Sequence, residues 1–138
     1  MVKVSEIMTT NVECVAPDTG VRELADKMKT LDIGFLAVCE NERIAGTITD
    51  RDLVIRGVAG GRDIASVKAS DVMTKHVHCC SESDDTKDVA KKMRDKEVRR
   101  MLILDEHKHL VGVVSIGDIS KVEESESGKT LKDIAEAA

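Results

Sequence analysis

Two short stretches carry the same set of reactive groups at the same spacing: Gly46-Thr-Ile-Thr-Asp-Arg-Asp52 and Gly112-Val-Val-Ser-Ile-Gly-Asp118. In each, a hydroxyl (Thr49, Ser115) stands where an apolar run stops, and a carboxylate (Asp52, Asp118) follows three residues later. That spacing makes a capping box, in which hydroxyl and carboxylate satisfy free backbone N–H groups at a helix start. The same geometry can serve a ligand. A helix start presents N–H groups and the positive end of its dipole to a phosphate, the hydroxyl adds a contact, and an outward carboxylate accepts hydrogen bonds from a diol. The tandem cations Arg99-Arg100 offer forked donors that match phosphate oxygens. Arg51 and Arg56, after the first junction, are further candidates for phosphate, with solvation or pairing to acids as the alternative.

A second chemistry is suggested by His76-x-His78-Cys79-Cys80 and by His107-x-His109, whose nitrogen and sulfur atoms are zinc ligands by type. Strand alternation sends these side chains to opposite faces, so one metal site cannot easily use His76, His78, Cys79 and Cys80 together. Cys79 repeats Cys14, which predicts a core position for both, and Cys39, at a strand end, is expected to be packed. All four cysteines are expected to be free thiols. Catalysis is not expected: there is no nucleophile elbow, metalloprotease helix or paired-carboxylate constellation.

The composition excludes other classes. The 138 residues carry a net charge of −5 with one Phe and no Trp or Tyr, which leaves neither a basic groove nor base-stacking platforms for nucleic acid. No run approaches about 18 apolar residues and the start lacks an apolar signal core, so neither membrane insertion nor secretion is expected; the expected location is cytoplasmic. Gly57-Val-Ala-Gly-Gly61 lacks a phosphate-loop pattern and reads as a helix terminator.

The elements that must position these groups come in duplicate. Shifted by 65 residues, Val2-Lys3 meets Val67-Lys68, Met8-Thr9 meets Met73-Thr74, Cys14 meets Cys79 and Met28 meets Met93; after one extra residue, Gly46 and Asp52 meet Gly112 and Asp118. Each copy reads as a short β run (12–15; 77–80), a turn and cap (Pro17-Asp18; Ser83-Asp84-Asp85), and an amphipathic helix. Val21, Leu24, Ala25, Met28 and Leu31 form its apolar stripe in the first copy, and Val89, Ala90 and Met93 in the second. A β-hairpin follows (35–39 with 44–49; 101–104 with 110–115), then a second helix from Asp50 or near Gly117. The predicted fold is α/β (α+β), two β-α-β-β-α repeats over 2–61 and 68–122 with a linker at 62–67. An acidic linker and a short helix carrying Leu131, Ile134, Ala135 and Ala138 are predicted over 123–138.

This duplicated unit, with Met-Thr opening each copy, the Gly-x-x-[Ser/Thr]-x-x-Asp junction closing it, and Val98-Arg-Arg-Met-Leu-Ile-Leu-Asp105, resembles the cystathionine-β-synthase-type (CBS) domain pair, or Bateman module. The resemblance implies two pseudo-symmetric repeats packed sheet to sheet, a regulatory role, a homodimer and a separate regulated protein. It also implies an adenosyl ligand of the AMP, ADP or ATP class, with NAD and S-adenosylmethionine as further candidates, held in clefts between the copies, and no required cofactor. Carried onto this chain, site A joins Thr47, Thr49 and Asp52 to Val77, His78, Val98, Arg99 and Arg100. Site B joins Val113, Ser115 and Asp118 to Val12, Ile33, Gly34 and Phe35. Gly34-Phe35 stands in site B where site A has its arginines, and Glu13 adds negative charge there, so the charged ligand is expected in site A.

Overall fold

The computed structural model describes residues 1–122. The expected helix near Leu131 to Ala138 lies outside them. The described chain forms two compact units, one contiguous (Val12–Val77) and one discontinuous, made of Met1–Asn11 and the chain from His78 onward.

In the contiguous unit, β1 (Cys14–Val15) lies parallel to β2 (Phe35–Glu40), with helix α1 (Val21–Leu31) as the crossover. Strand β3 (Arg43–Thr49) returns antiparallel, giving the order β1-β2-β3. Asn41 and Glu42, both at positive φ (53° and 65°), make the two-residue turn between β2 and β3, the arrangement whose twist matches that of the flanking strands. Helix α1 turns Val21, Leu24 and Met28 inward against Val15, Leu36, Val38 and Ile48. Ala25 and Leu31, expected on the same stripe, are exposed instead: the helix is covered by the sheet on one side only, and Leu31 lies at its last turn. Helix α2 starts at Asp50 and after one turn opens into a π-helical stretch, Leu53–Val58. A 3-10 turn (Ile64–Ser66) and helix α3 (Ala69–Val72) complete the unit.

The discontinuous unit repeats the plan. Strand β4 (Cys79–Ser81) lies parallel to β5 (Arg100–Leu104) across helix α4 (Thr86–Lys96), and β6 (Leu110–Ser115) pairs antiparallel with β5. Residues 116–122 form helix α5. Val89, Ala90 and Met93 are buried, as their spacing predicts, against Met101, Ile103, Val114 and Ile119. Both crossover helices end on a left-handed residue, Asp32 (φ 53°) and Glu97 (φ 56°). The next N–H in each bonds five residues back, from Ile33 to the Met28 carbonyl and from Val98 to the Met93 carbonyl, each at 3.0 Å.

The opening segment of each sequence copy is built into the unit that carries the other copy's sheet. Val4 is buried with Met93 and Ile103, whereas Val67, Ala69 and Val72 are buried with Leu24 and Ile48. The backbone bonds are equivalent: Thr86 N–H donates to the Val2 carbonyl (2.9 Å) and Val21 N–H to the Val67 carbonyl (3.0 Å). Thr9 pairs with Val113, and Thr74 with Thr47. Two glycines make these approaches possible. A Cβ on Gly46 would lie 2.7 Å from the Thr74 carbonyl oxygen, and one on Gly112 would lie 2.5 Å from the Met8 sulfur and 3.0 Å from the Thr9 carbonyl oxygen.

One cap differs from the expectation. Pro17-Asp18 does not cap α1, whose N-cap is Gly20 with no side-chain bond; the helix starts two residues later, where the Val67 carbonyl takes the Val21 N–H. In the other copy Asp85 caps α4, its carboxylate accepting from Lys87 N–H at 3.0 Å.

Candidate functional site

The two strand-to-helix junctions have the geometry that their spacing predicts. Thr49 ends β3 in extended conformation, and its Oγ1 accepts from Asp52 N–H (3.2 Å) while Asp52 Oδ2 accepts from Thr49 N–H (2.9 Å). Ser115 and Asp118 reproduce the pair at 3.1 and 2.9 Å. All four residues are half-buried. The reciprocal bonds occupy one carboxylate oxygen and one hydroxyl acceptor position. Each carboxylate therefore keeps Oδ1, and each hydroxyl keeps its proton to donate. A half-buried acceptor beside a half-buried donor at a helix start suits a ligand that combines a diol with an oxyanion.

Next to each junction, within the same unit, lies the start of the hairpin. Asp50 N–H donates to the Gly34 carbonyl (3.1 Å), and Phe35 is the register partner of Thr49. Equivalently, Ile116 N–H donates to the Arg99 carbonyl (2.8 Å), and Arg100 is the register partner of Ser115. Both arginines are exposed. Of the expected site residues, Thr47, Thr49, Asp52 and Val77 fall in the contiguous unit with Val12, Ile33, Gly34 and Phe35. His78, Val98, Arg99, Arg100, Val113, Ser115 and Asp118 fall in the discontinuous one.

Three neighbouring groups are committed elsewhere. The Arg56 guanidinium donates to the Val72 and Met73 carbonyls (3.4 and 3.0 Å), closing the end of α3, so its task here is structural. Glu13 is paired with Lys27 at 3.0 Å, which offsets the negative charge expected to count against site B. Its carboxylate holds the Lys27 ammonium above the usual lysine range.

The cysteines depart from expectation in their placement. All four are free thiols, but Cys14 is exposed, because a two-residue edge strand leaves its outer face uncovered. Its Sγ lies 3.1 Å from that of Cys39. Cys79 is half-buried and Cys80 buried; burial raises both thiols, Cys80 up to about 12. Among the described residues, no group of three or more His, Cys, Asp or Glu side chains is gathered as a metal cage. Among the same residues no helix is long and apolar enough to cross a membrane.

The CBS domain family model matches residues 4–58 and 69–125, and the chain belongs to that family. The chain is 31% identical over 137 residues to CBS domain-containing protein YhcV of Bacillus subtilis, covering 98% of this chain and 96% of that one. It is also 31% identical over 122 residues to Hypoxic response protein 1 of Mycobacterium tuberculosis (88% and 85%). The crystal structure of Hypoxic Response Protein I with two coordinated zinc ions superposes with a TM-score of 0.77 at 31% identity, over 88% of this chain and 99% of that one. CBSX2, solved in complex with AMP, shares the fold at a TM-score of 0.76 and 21% identity, over 90% and 97%. The two mixed three-stranded sheets with their helices are those of a regulatory CBS pair.

Proposed function

We propose that this CBS pair is a ligand sensor that binds an adenosyl nucleotide of the AMP, ADP or ATP class and signals to a separate partner protein. The observation that carries the reading is the junction, present twice, which keeps a carboxylate oxygen and a hydroxyl proton available at a helix start. In this reading the remaining oxygens of Asp52 and Asp118 accept from ribose hydroxyls, Thr49 and Ser115 donate to phosphate, and Arg99 and Arg100 supply positive charge for the polyphosphate. The AMP held by CBSX2 supports the ligand class, since that protein has the same fold. A nucleotide shifts signalling only by its difference in affinity for two arrangements of the protein, and the partner reads that difference. Self-association as a homodimer belongs to the proposal. Val54, Ile55 and Val58 are all more than half exposed and offer an apolar surface for it. Ile55→Asp is expected to lower the mass seen by sedimentation.

The test is thermal unfolding of nucleotide-free protein against AMP, ADP, ATP, GMP, NAD and S-adenosylmethionine. Absorbance near 260 nm serves first to exclude co-purified nucleotide, a sensitive check in a chain without Trp or Tyr. A ligand at about 100 times its Kd adds about 2.7 kcal/mol to stability. Asp52→Ala combined with Arg99→Ala is expected to remove the shift produced by the adenine nucleotide, while Asp118→Ala reports on the second junction. A panel without any adenosyl response would sink the reading.

A further inference from the structure

The geometry points to a reversible intramolecular disulfide between Cys14 and Cys39 that staples β1 to β2. In the parallel ladder Cys14 stands opposite Ala37, and Cys39, two residues along β2, shares Ala37's face. Their sulfurs are 3.1 Å apart, so an approach of about 1 Å reaches a disulfide bond of about 2.05 Å. One thiol is exposed and the other half-buried, a division of labour that suits an entry cysteine and a resolving cysteine. The second copy lacks the pair: Cys79 is the equivalent of Cys14, but Leu104 stands two residues beyond its register partner Leu102, where Cys39 stands in the first copy.

The chemistry balances with a low-molecular-weight disulfide as oxidant. The Cys14 thiolate attacks one sulfur of R–S–S–R, forming Cys14–S–S–R and expelling RS⁻, which takes up the proton that Cys14 released. The Cys39 thiolate then attacks the Cys14 sulfur, forming the Cys14–Cys39 bond and expelling the second RS⁻, which takes up the Cys39 proton. The two cysteines lose two electrons and two protons, and the oxidant leaves as two RSH. Burial, with the hydrogen bond to Cys14 adding to it, raises the Cys39 thiol, which assigns the first attack to the exposed Cys14 and leaves Cys39 to resolve the adduct across 3.1 Å.

The full-length reduced chain, equilibrated with glutathione and glutathione disulfide at increasing ratios, quenched with acid, alkylated and mapped by mass spectrometry, tests this. The expected result is a growing Cys14–Cys39 cross-linked peptide with Cys79 and Cys80 still alkylated, together with a higher Tm for the oxidised chain. Cys39→Ser is expected to accumulate glutathione on Cys14, and Cys14→Ser to leave Cys39 reduced. A wild-type chain in which Cys14 ends as a stable glutathione adduct, bonds to a second copy, or pairs with Cys79 or Cys80 overturns the inference. So does a map in which both thiols stay alkylated at every ratio. The wild-type map decides the question even if a variant does not fold.

Discussion

The contiguous and discontinuous units have one topology and fill its equivalent places differently. Helix α4 starts on the Asp85 carboxylate, whereas α1 starts on Gly20 with no side-chain cap. The β2–β3 turn has two residues at positive φ. The β5–β6 loop is longer, residues 105–109 with only Lys108 at positive φ, and is organised by Asp105 Oδ1, which accepts from the His107 and His109 N–H groups at 2.9 Å each. After the junction, α5 continues as α-helix while α2 widens into a π-helical stretch and exposes Val54, Ile55 and Val58. What the copies keep is the apolar interior and the Thr/Ser–Asp lock, and what they vary is how ends and turns are satisfied. The duplicated frame is therefore a packing solution, and capping and turn chemistry are interchangeable ways of completing it.

The largest expected effect separates the two close approaches. Gly46→Ala drives a Cβ against a backbone oxygen at 2.7 Å and is expected to cost about 1–3 kcal/mol in urea unfolding. Gly112→Ala meets mainly the movable end of Met8 and is expected to cost less. Equal costs would break this account of the exchanged openings. Next come the caps. Asp85→Ala is expected to destabilise by about 1 kcal/mol, and Gly20→Asp, at a position with open space and extended backbone, to gain a few tenths of a kcal/mol. A gain at Gly20 matched by no loss at Asp85 would show that the caps are not what distinguishes the helix starts.

The smallest effects are acid-dependent. Asp105 is held below the usual carboxylate range by the His109 N–H first, with the His107 N–H and both imidazoles assisting. Asp71 is held low by the Lys68 N–H first, then by Arg62. Stability from a lowered carboxyl is present above the unfolded pKa of about 3.9 and is lost as pH falls through the folded value. Unfolding followed from about pH 6 down to pH 2 is expected to lose part of its acid limb in Asp105→Asn and, separately, in Asp71→Asn.

Much of this was legible in the residues. The 65-residue shift exposed the duplication, apolar runs located both hairpins, and the Thr49–Asp52 and Ser115–Asp118 spacing gave capping boxes that the structure contains. The exchange of openings was not legible, because periodicity tells where a copy begins and not which sheet its first residues meet. For the same reason neither reading of Arg56, phosphate contact or solvation and pairing with acids, anticipates its partners, the last carbonyls of α3, which are 16 and 17 residues away. The recurrence of Cys14 as Cys79 suggests a core position for it, but a repeat does not tell which face of a two-residue edge strand is covered, and here the covered face is that of Val15. The thiol pair had a usable signal, a cysteine on each strand of one β-α-β unit, but only the register places them on the same face.

The exchanged openings also give the chain a schedule. Everything the contiguous unit needs has been synthesised once Val77 is clear of the ribosome, so that unit can close while the rest is still being made. The first eleven residues have no such option. Val4 and Thr9 find their partners only when Met93, Ile103 and Val113 exist, so this segment waits for residues that follow the contiguous unit, across a loop that can already hold that unit folded. Closing that loop costs less chain entropy than its length in residues suggests, because the folded unit inside it has already shortened the flexible path.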